Sequence, residues 1–551
     1  MKVSKLTVAI AATLGMTASY NAMALDLYVD AKTKQIFAEP GKGRVLLGEF
    51  EKVGATNPVL QPAPAATHEE VAAIKKDLEL KTNEIKALSE HAEEESKPSN
   101  VHVKLDDGIH FATKDGNFTA GINGRLQIDS QNNVNQTNHG FAALDTSSTG
   151  AKGGLPFGLN DGMALRRGRL GVEGTFFKNS FYKFEYDFTR AGSSLSSVSK
   201  VGAIGASTST GVTDAYIGYN FSKPFSMKVG AFKEPFSLEE ATSNRYTTFI
   251  ERNMAVNTFV DNLNTYKLGI GANYSTDRWL AATSLQTESV GASKQGTSVI
   301  GGDSSNRGSG TGDTSWEING RVAGTPWFES KTKFLHVGAS GTYIALNNNY
   351  KSDGSWSNGG ISFANGIGNN VDRTAILNTG ALSTGRTAGK FEADRVTRVG
   401  AETALVYGPF SAQTEYLRTE VNGKGYSNDG MDGYYGYATY FLTGESRNYK
   451  TKTGAWDRIK PNHNFDMKGG LGAWELALGY DYLNLNTHNI KGGQVDTVKG
   501  GINWYLNSHT RVMANYIHAL DIKTAAVADA TAKSFNHTEL DMIETRVQLD
   551  W

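Results

Sequence analysis

The stretch FTAGINGRLQI, residues 118–128, indicates the fold class. Ile122 and Ile128 fall on one face of an extended chain, and polar residues alternate with them, which is the two-residue period of a β-strand. The same period recurs in IETRVQLDW, residues 543–551. In a soluble sandwich the apolar face would form the core, whereas in an outer-membrane barrel it would face lipid and the polar face would line the lumen. The period alone leaves both architectures open.

The lengths of the connections separate these two architectures. Sixteen strands are predicted, each long enough to cross a bilayer when tilted. They are residues 118–128, 164–176, 180–190, 212–221, 225–233, 265–275, 278–287, 315–324, 333–346, 395–408, 410–421, 434–443, 472–485, 495–506, 508–520 and 538–551. Long and short connections alternate, as in barrels with long outer loops and short periplasmic turns, except at Gly444–Leu471. We therefore predict an all-β fold, a 16-stranded antiparallel transmembrane β-barrel over residues 98–551, because lipid cannot satisfy an open sheet edge.

The residues before the barrel predict export and a short helical coiled-coil segment. Residues 1–24 carry a positive start, an apolar stretch and a small-x-small site, which is typical of a signal peptide. Residues 25–68 are expected to be a periplasmic segment that ends in a proline-rich linker. Residues 69–97 favour helix, and their apolar residues follow a heptad pattern that predicts an oligomerising coiled coil. A solitary charged surface helix is the alternative.

Composition excludes several classes of function. The chain has 551 residues, a formal net charge of −1 and no cysteine, so disulfide scaffolds and thiolate chemistry are excluded. The near-zero charge and the lack of a basic tract argue against nucleic acid as a partner. No nucleophile elbow, P-loop or HExxH motif is present. We expect no catalytic residues, no metal, no cofactor and no enzymatic activity.

Several stretches resemble the phosphate-selective porin O and P family. They are RRGRLGVEG at 166–174, DAYIGY at 214–219, FKEPFSLEE at 232–240 with SNRY at 243–246 and FIER at 249–252, GAWE at 472–475, NWYL at 503–506 and RVQLDW at 546–551. The matches are scattered over residues 101–551. The resemblance implies a trimeric, 16-stranded porin in the outer membrane of a Gram-negative bacterium. The final Trp551 resembles the aromatic signal that the insertion machinery of that membrane reads.

The third outer loop, residues 234–264, is the expected constriction, because such a loop commonly narrows the channel of a porin. Its candidate constriction residues are Arg245, Thr247, Thr248 and Arg252. Candidate residues of the pore wall are Arg125, Arg166, Arg167, Arg169, Lys228 and Arg321. The strand period places Arg166 on the face opposite the others, from which it could reach inward only at the rim. The resemblance implies that Arg245 is the basic loop residue of the family, and that Arg125, Arg166, Arg167 and Arg169 match part of its arginine ladder.

The predicted function is passive diffusion of small hydrophilic solutes and ions, with a preference for phosphate-like anions. Arginine favours such anions because its planar fork matches their oxygens. Glu239, Glu240 and Glu251 in the same loop argue the other way, because they could cancel that field. The expected partners are two further copies of the chain, outer-membrane lipids and small anions. A non-transporting adhesin or tether, anchored by the barrel, is the alternative.

Overall fold

The structure is a computed structural model that describes residues 25–30, 36–37, 44–50, 68–96, 101–105, 108–137, 158–189, 211–261, 266–289, 315–346, 361–369, 371–380, 382 and 392–551. The chain divides into two compact units, Met1–Lys97 and Pro98–Trp551. The predicted signal peptide and the proline-rich stretch 57–66 lie outside the described residues. In the described part of the chain, no helix combines the length and the apolarity needed to cross a bilayer.

The first unit contains a small sheet and one long helix. Strands β1 (Leu25–Asp30), β2 (Ile36–Phe37) and β3 (Arg44–Phe50) form an antiparallel sheet in the order β2-β1-β3. Helix α1 spans His68–Ser96, a stretch without glycine or proline, as its helix propensity predicts. Leu78, Ile85 and Leu88 of the predicted seam are exposed along this helix. Association of that seam with other copies stays a prediction.

The second unit is a closed antiparallel barrel. Its strands are β6 (Phe118–Thr137), β7 (Gly162–Phe176), β8 (Ser180–Asp187), β9 (Val212–Asn220), β10 (Phe225–Lys233), β11 (Tyr266–Ser275), β12 (Trp279–Ser289), β13 (Trp316–Ser330), β14 (Lys333–Ala345), β17 (Glu392–Tyr407), β18 (Phe410–Lys424), β19 (Tyr426–Phe441), β22 (Ala473–Asn486), β23 (Lys491–Tyr505), β24 (Thr510–Lys523) and β25 (Glu539–Asp550). Each strand pairs with the next, and β25 pairs with β6 to close the ring. The predicted 16-stranded barrel is confirmed.

Two short strands that the sequence pattern did not predict precede the barrel. Strands β4 (Val101–Lys104) and β5 (Ile109–Thr113) form a hairpin, and β5 pairs with the first residues of β6. Because β25 pairs with β6 from Arg125 onward, the hairpin extends the same edge of β6. Strands β6 and β19 are also longer than predicted. Most of their extra residues are polar, and the ladder continues there because neighbouring strands still satisfy the backbone.

Apolar side chains face outward, and the buried core lies inside the ring. Leu126 and Ile128 of β6 are exposed, whereas Arg125, Gln127 and Asp129 between them are buried. This polarity suits a lipid-facing wall around a polar lumen. The remaining short elements lie in the connections. They are α2 (Leu238–Ala241), α3 (Met254–Phe259), β15 (Ala364–Asn365), β16 (Leu377–Asn378), β20 (Asn448–Lys450), β21 (Ala455–Asp457) and α4 (Ala530–Ser534).

Candidate functional site in the barrel lumen

The connection between β10 and β11 contacts inward-facing residues of strands that lie far from β10 and β11 in the ring. We call its described part, Glu234–Asp261, the L3 segment. Arg511 of β24 donates to the carbonyl oxygen of Thr247 at 2.8 Å, and Asn503 of β23 donates to that of Thr248 at 2.9 Å. Arg546 of β25 donates to the carbonyl of Ile250. One side of the lumen therefore binds the L3 segment through its backbone.

Strands elsewhere on the ring hold the two short helices of the L3 segment. Glu415 of β18 accepts the amide groups of Leu238 and Glu239 at 3.2 and 2.8 Å, which caps the start of α2. Asp481 of β22 accepts the amide of Met254, at the start of α3, at 2.7 Å. Negative side chains suit these positions because the first amides of a helix lack partners within it. The L3 segment is thus fastened to the wall at several strands.

Glycine residues of the wall give the L3 segment room. A Cβ atom on Gly433 would lie 2.8 Å from the Cβ of Ala255, and one on Gly479 would lie 3.0 Å from the ring of Phe249. Phe249 and Ala255 are buried. These glycines are therefore needed for close approach of the loop to the wall.

A second outer connection packs on the L3 segment. Residues 361–382 carry the hairpin of β15 and β16. The side-chain amide of Asn257 donates to Asn365 at 2.9 Å, and the rings of Phe259 and Phe363 meet edge to face at 5.8 Å. Asn369 donates through its side chain to the carbonyl of Ser130 on β6 at 2.9 Å. This second insert therefore joins the L3 segment to the wall.

The connection between β19 and β22, which broke the predicted alternation, enters the lumen from the opposite end. Its hairpin of β20 and β21 places Trp456 in a buried cluster with Leu238 of the L3 segment and Phe334 of β14. The amide of Trp456 donates to the hydroxyl of Thr242 at 3.2 Å, and its ring nitrogen donates to Gln413 at 2.5 Å. The connection is long because it packs inside the barrel instead of turning at the rim.

Glu185 is the centre of one cluster of arginines on this wall. Its carboxylate pairs with Arg125 at 2.6 Å, with Arg169 at 2.9 Å and with Arg245 of the L3 segment at 3.7 Å. Asp187 pairs with Arg169 at 2.8 Å. Three guanidinium groups thus share two carboxylates, and positive charge is in excess among these ion pairs.

Glu251 of the L3 segment is the centre of a second cluster. It pairs with Arg166 and Arg546 at 2.8 Å and with Arg167 at 3.6 Å. Arg546 also pairs with Asp129 at 2.6 Å. Burial opposes ionisation of Glu251, but the three arginines outweigh it and hold the pKa of this carboxyl well below its usual value.

A β-bulge brings Arg166 into the second cluster. In the pairing of β6 with β7, Gln127 lies opposite Arg167 and Ile128 lies opposite Leu165, so Arg166 is an extra residue in the ladder. The extra residue lets Arg166 and Arg167 both reach Glu251. The strand period had placed Arg166 on the other face, and this expectation is wrong because a bulge changes the phase.

The other candidate residues lie away from these two clusters. Arg252 is buried and pairs with Glu240 at 2.9 Å and Asp261 at 3.2 Å, so it ties the L3 segment to itself. Burial lowers the pKa of its guanidinium, but these carboxylates outweigh it and raise the pKa above its usual value. Lys228 lies over the rings of Tyr216 and Phe232, 4.9 and 4.2 Å from their centres.

Arg321 binds the long connector. It pairs with Glu402 at 2.6 Å and donates to the carbonyl of Gly454 at 2.7 Å. Thr247 and Thr248 contribute backbone carbonyls to the wall contacts described above. The candidate residues therefore separate into two groups. The first group belongs to the clusters around Glu185 and Glu251 and consists of Arg125, Arg166, Arg167, Arg169 and Arg245. The second group, Lys228, Arg252 and Arg321, lies outside both clusters.

Arg511 was missed as a site residue. It is buried beside the L3 segment, and within the described ranges no carboxylate lies at salt-bridge distance from it. It also binds Gln548 at 3.2 Å, and Gln548 binds Gln127 at 2.7 Å. Gln127 in turn accepts from Arg167 at 3.0 Å. The two-residue period of a strand indicates which arginines face the lumen. It does not show which of these arginines contacts the L3 segment.

A closed 16-stranded barrel with an apolar outer face and a charged lumen defines an outer-membrane porin, and the protein is located in the outer membrane of a Gram-negative bacterium. The model of the family "Phosphate-selective porin O and P" matches residues 157–551, so the chain belongs to that family. Porin O of Pseudomonas aeruginosa is 28% identical over 437 residues, covering 76% of this chain and 87% of that protein. An uncharacterised protein of Caulobacter vibrioides is 26% identical over 458 residues, covering 82% of this chain and 78% of that protein.

Solved structures of outer-membrane proteins resemble the barrel. OmpT of Vibrio cholerae is 12% identical, covers 82% of this chain and all of that chain, and has a TM-score of 0.42. An anion-selective porin from Comamonas acidovorans is 11% identical, with 79% of this chain and all of that chain covered, at a TM-score of 0.42.

Proposed function

We propose that this protein is a diffusion porin that prefers small anions of the phosphate type, with the L3 segment as its constriction. The observation that carries the proposal is the excess of guanidinium groups beside that segment. Arg125, Arg169 and Arg245 share two carboxylates, and Arg511 is bonded to Thr247 without a carboxylate partner among the described residues. An anion that passes the L3 segment therefore meets a positive field.

The location of these charges matters more than their number. The barrel region as a whole is close to neutral, so its total charge favours neither cations nor anions. In a narrow site with little water, each charge acts through a lower effective dielectric constant and is less screened. Guanidinium forks also match the spacing of oxyanion oxygens. The description of the family as phosphate-selective supports the same class of permeant.

We also propose that the protein works as a homotrimer in which α1 helps to hold the subunits together. Leu78, Ile85 and Leu88 are exposed along a helix of 29 residues, and a helix with such a seam gains stability from partners. The same proposal includes removal of the signal peptide, a periplasmic position of α1 and recognition of Trp551 by the insertion machinery.

The test is the zero-current potential of purified protein in a planar bilayer under a salt gradient. We expect wild type to prefer chloride over potassium, and Arg245→Glu to shift the potential toward cation preference. Arg278→Glu is the control, because this exposed arginine lies in a short turn and its reversal changes the same charge outside the L3 segment. A cation-selective wild type, or an unchanged potential in Arg245→Glu, would contradict the proposal. A pure preparation without stepwise conductance would favour the adhesin or tether.

A further inference from the structure

The outer wall of the barrel contains a groove near the turn between β11 and β12. Its volume is about 460 Å³, which lies in the range of small-ligand sites. Small side chains from neighbouring strands line it, and they are Ala272 of β11, Ala281 and Thr283 of β12, and Ala339 of β14. The hydroxyl of Thr283 donates to the carbonyl oxygen of Asn319 at 2.8 Å, so this polar group is satisfied and the groove is apolar.

Larger side chains border the groove. In the ladder, Ala281 lies between Tyr274 of β11 and Val322 of β13, and both of these residues are exposed. Further from the turn, Ile270 and Leu285 lie opposite each other and are also exposed. The groove is therefore a depression in the lipid-facing wall, because small side chains stand there among large ones.

Elsewhere on the ring, the wall near the short turns is filled. Tyr440 of β19, Leu476 of β22 and Ile502 of β23 are neighbours in the ladder, and all three are exposed. They form a continuous row of large side chains against lipid. The groove on β11–β14 is thus a local feature and not a general property of the wall.

Aromatic residues mark the level at which the groove lies. Trp279 and Tyr274 flank the turn between β11 and β12, and both are exposed. Tryptophan and tyrosine are enriched at the headgroup level of a membrane. Short turns face the periplasm in barrels of this class. The groove therefore opens beside the headgroups of the periplasmic leaflet.

Lys223 lies at the same end of the groove. It is exposed in the turn between β9 and β10, two residues before Phe225, which also lines the groove. The carbonyl oxygen of Pro224 accepts the amide of Ser275 at 2.7 Å, so this turn lies directly beside β11. Within the described parts of the chain, no carboxylate lies at salt-bridge distance from Lys223.

The neighbouring turn adds no net charge. Asp277 and Arg278 follow each other in it, so their charges sum to zero. The guanidinium of Arg278 also lies over the ring of Phe328, 5.6 Å from its centre. Lys223 is therefore the uncompensated charge beside the groove.

We propose that this groove binds one acyl chain of an anionic phospholipid of the periplasmic leaflet, with Lys223 at the phosphate of its headgroup. Burial of apolar surface holds the chain, and the lysine selects a negative headgroup. A bound chain also fills the depression, whose lining would otherwise lose dispersion contacts. The inference concerns the outer wall, so it stands or falls independently of the ion selectivity of the lumen.

The test is native mass spectrometry of the full-length protein, titrated in detergent with phosphatidylglycerol and, separately, with phosphatidylethanolamine. We expect wild type to bind phosphatidylglycerol more tightly. Ala281→Leu fills the groove and should weaken binding of both lipids about tenfold, because the acyl chain loses its buried contact. Ala339→Leu fills the groove from β14 and repeats the test if Ala281→Leu does not assemble.

The matched control for the groove is Ala438→Leu, the same substitution at an outward-facing position of β19 on another part of the wall. It should leave lipid binding unchanged. Lys223→Gln should weaken binding of phosphatidylglycerol about fivefold and leave phosphatidylethanolamine unaffected, because only the anionic headgroup loses an attraction. Lys331→Gln, which changes an exposed lysine in the turn after β13, is its control.

Three results would overturn the inference. The first is wild-type binding of phosphatidylglycerol in the groove-filled variants, and the second is an equal loss in Ala281→Leu and Ala438→Leu. The third is wild-type binding of both lipids in Lys223→Gln, which would remove the assigned headgroup contact. A groove-filled variant that keeps its lipid but whose subunits dissociate at a lower temperature would show that a second copy of the chain occupies the groove instead.

Discussion

Arg546 binds Glu251 at 2.8 Å, and this contact joins the end of the barrel to the L3 segment. Arg546 belongs to β25 and also pairs with Asp129 of β6, which lies directly opposite it in the closing ladder. One side chain therefore stabilises both the closure of the ring and the position of the loop. Because all three groups are buried, Arg546 and the two carboxylates compensate one another's charge in place of water.

Replacing Arg546 by methionine is expected to destabilise the folded barrel by about 3–5 kcal/mol, because buried Asp129 would lose its arginine partner and Glu251 would lose one of its three. Unfolding by denaturant in detergent micelles measures this free energy. The control is Arg395→Met, which removes an exposed arginine whose nearest carboxylate is Asp394 at 3.9 Å, and it should cost about 0–1 kcal/mol. Equal losses in the two variants would contradict a special role for Arg546.

Gly433→Ala should disturb the L3 segment, because the added methyl group would lie 2.8 Å from Ala255 of α3 and 2.8 Å from the carbonyl of Tyr482. Overpacking of this kind costs about 1–3 kcal/mol. We expect a lower melting temperature together with an altered single-channel conductance. Gly320→Ala is the matched control, because its methyl group would meet no atom within 4 Å in the described structure. Wild-type behaviour of Gly433→Ala would show that the loop packs loosely.

Stability should fall as the pH rises toward 8 because of Glu239. Burial, and then the nearby carboxylate of Glu415, raise the pKa of Glu239 to about 8. The folded state thus holds this proton more tightly than the unfolded chain, whose carboxyl titrates near 4.5. The contribution of Glu239 is full below pH 4.5 and is lost as the pH rises to about 8, with a magnitude of a few kcal/mol.

The measurement for Glu239 is the melting temperature in detergent between pH 5 and 9. Glu239→Gln should show a flatter pH dependence than wild type, because it has no proton to lose. Glu173→Gln, which changes a half-exposed carboxylate, should keep the wild-type slope. The same slope in Glu239→Gln and wild type would contradict the assignment.

Deleting residues 57–97 should leave a trimer that dissociates at a lower temperature in detergent gels. The seam of α1 is short and interrupted by Lys81, which pairs with Glu84 instead, so barrel contacts are expected to supply most of the stability. Deleting residues 57–66 alone removes the proline-rich stretch and keeps the helix, and it should have a smaller effect. An unchanged dissociation temperature in the larger deletion would make α1 a spacer.

The number of strands, the face that each residue occupies and the closure of the barrel were predictable from the sequence. The reason is that lipid requires an apolar outer face on each strand and cannot satisfy an open sheet edge. A residue that faces lipid must be apolar whatever surrounds it, so Leu126 and Ile128 mark the outer face of β6 without knowledge of any other strand. The same argument placed Arg125, Arg167 and Arg169 in the lumen. The position of α1 was also predictable, because helix propensity is a property of a short segment.

Only the tertiary structure decided which side chains meet at the site. The bulge at Arg166 depends on how β6 pairs with β7, and the entry of the long connector depends on the space that the L3 segment leaves. Glu185 meets Arg245 across 60 positions of sequence, and Glu251 meets Arg546 across 295. A local pattern shows which face a charge occupies. It does not show which charge lies opposite, because Coulomb energy depends on distances through space that only the closed barrel sets.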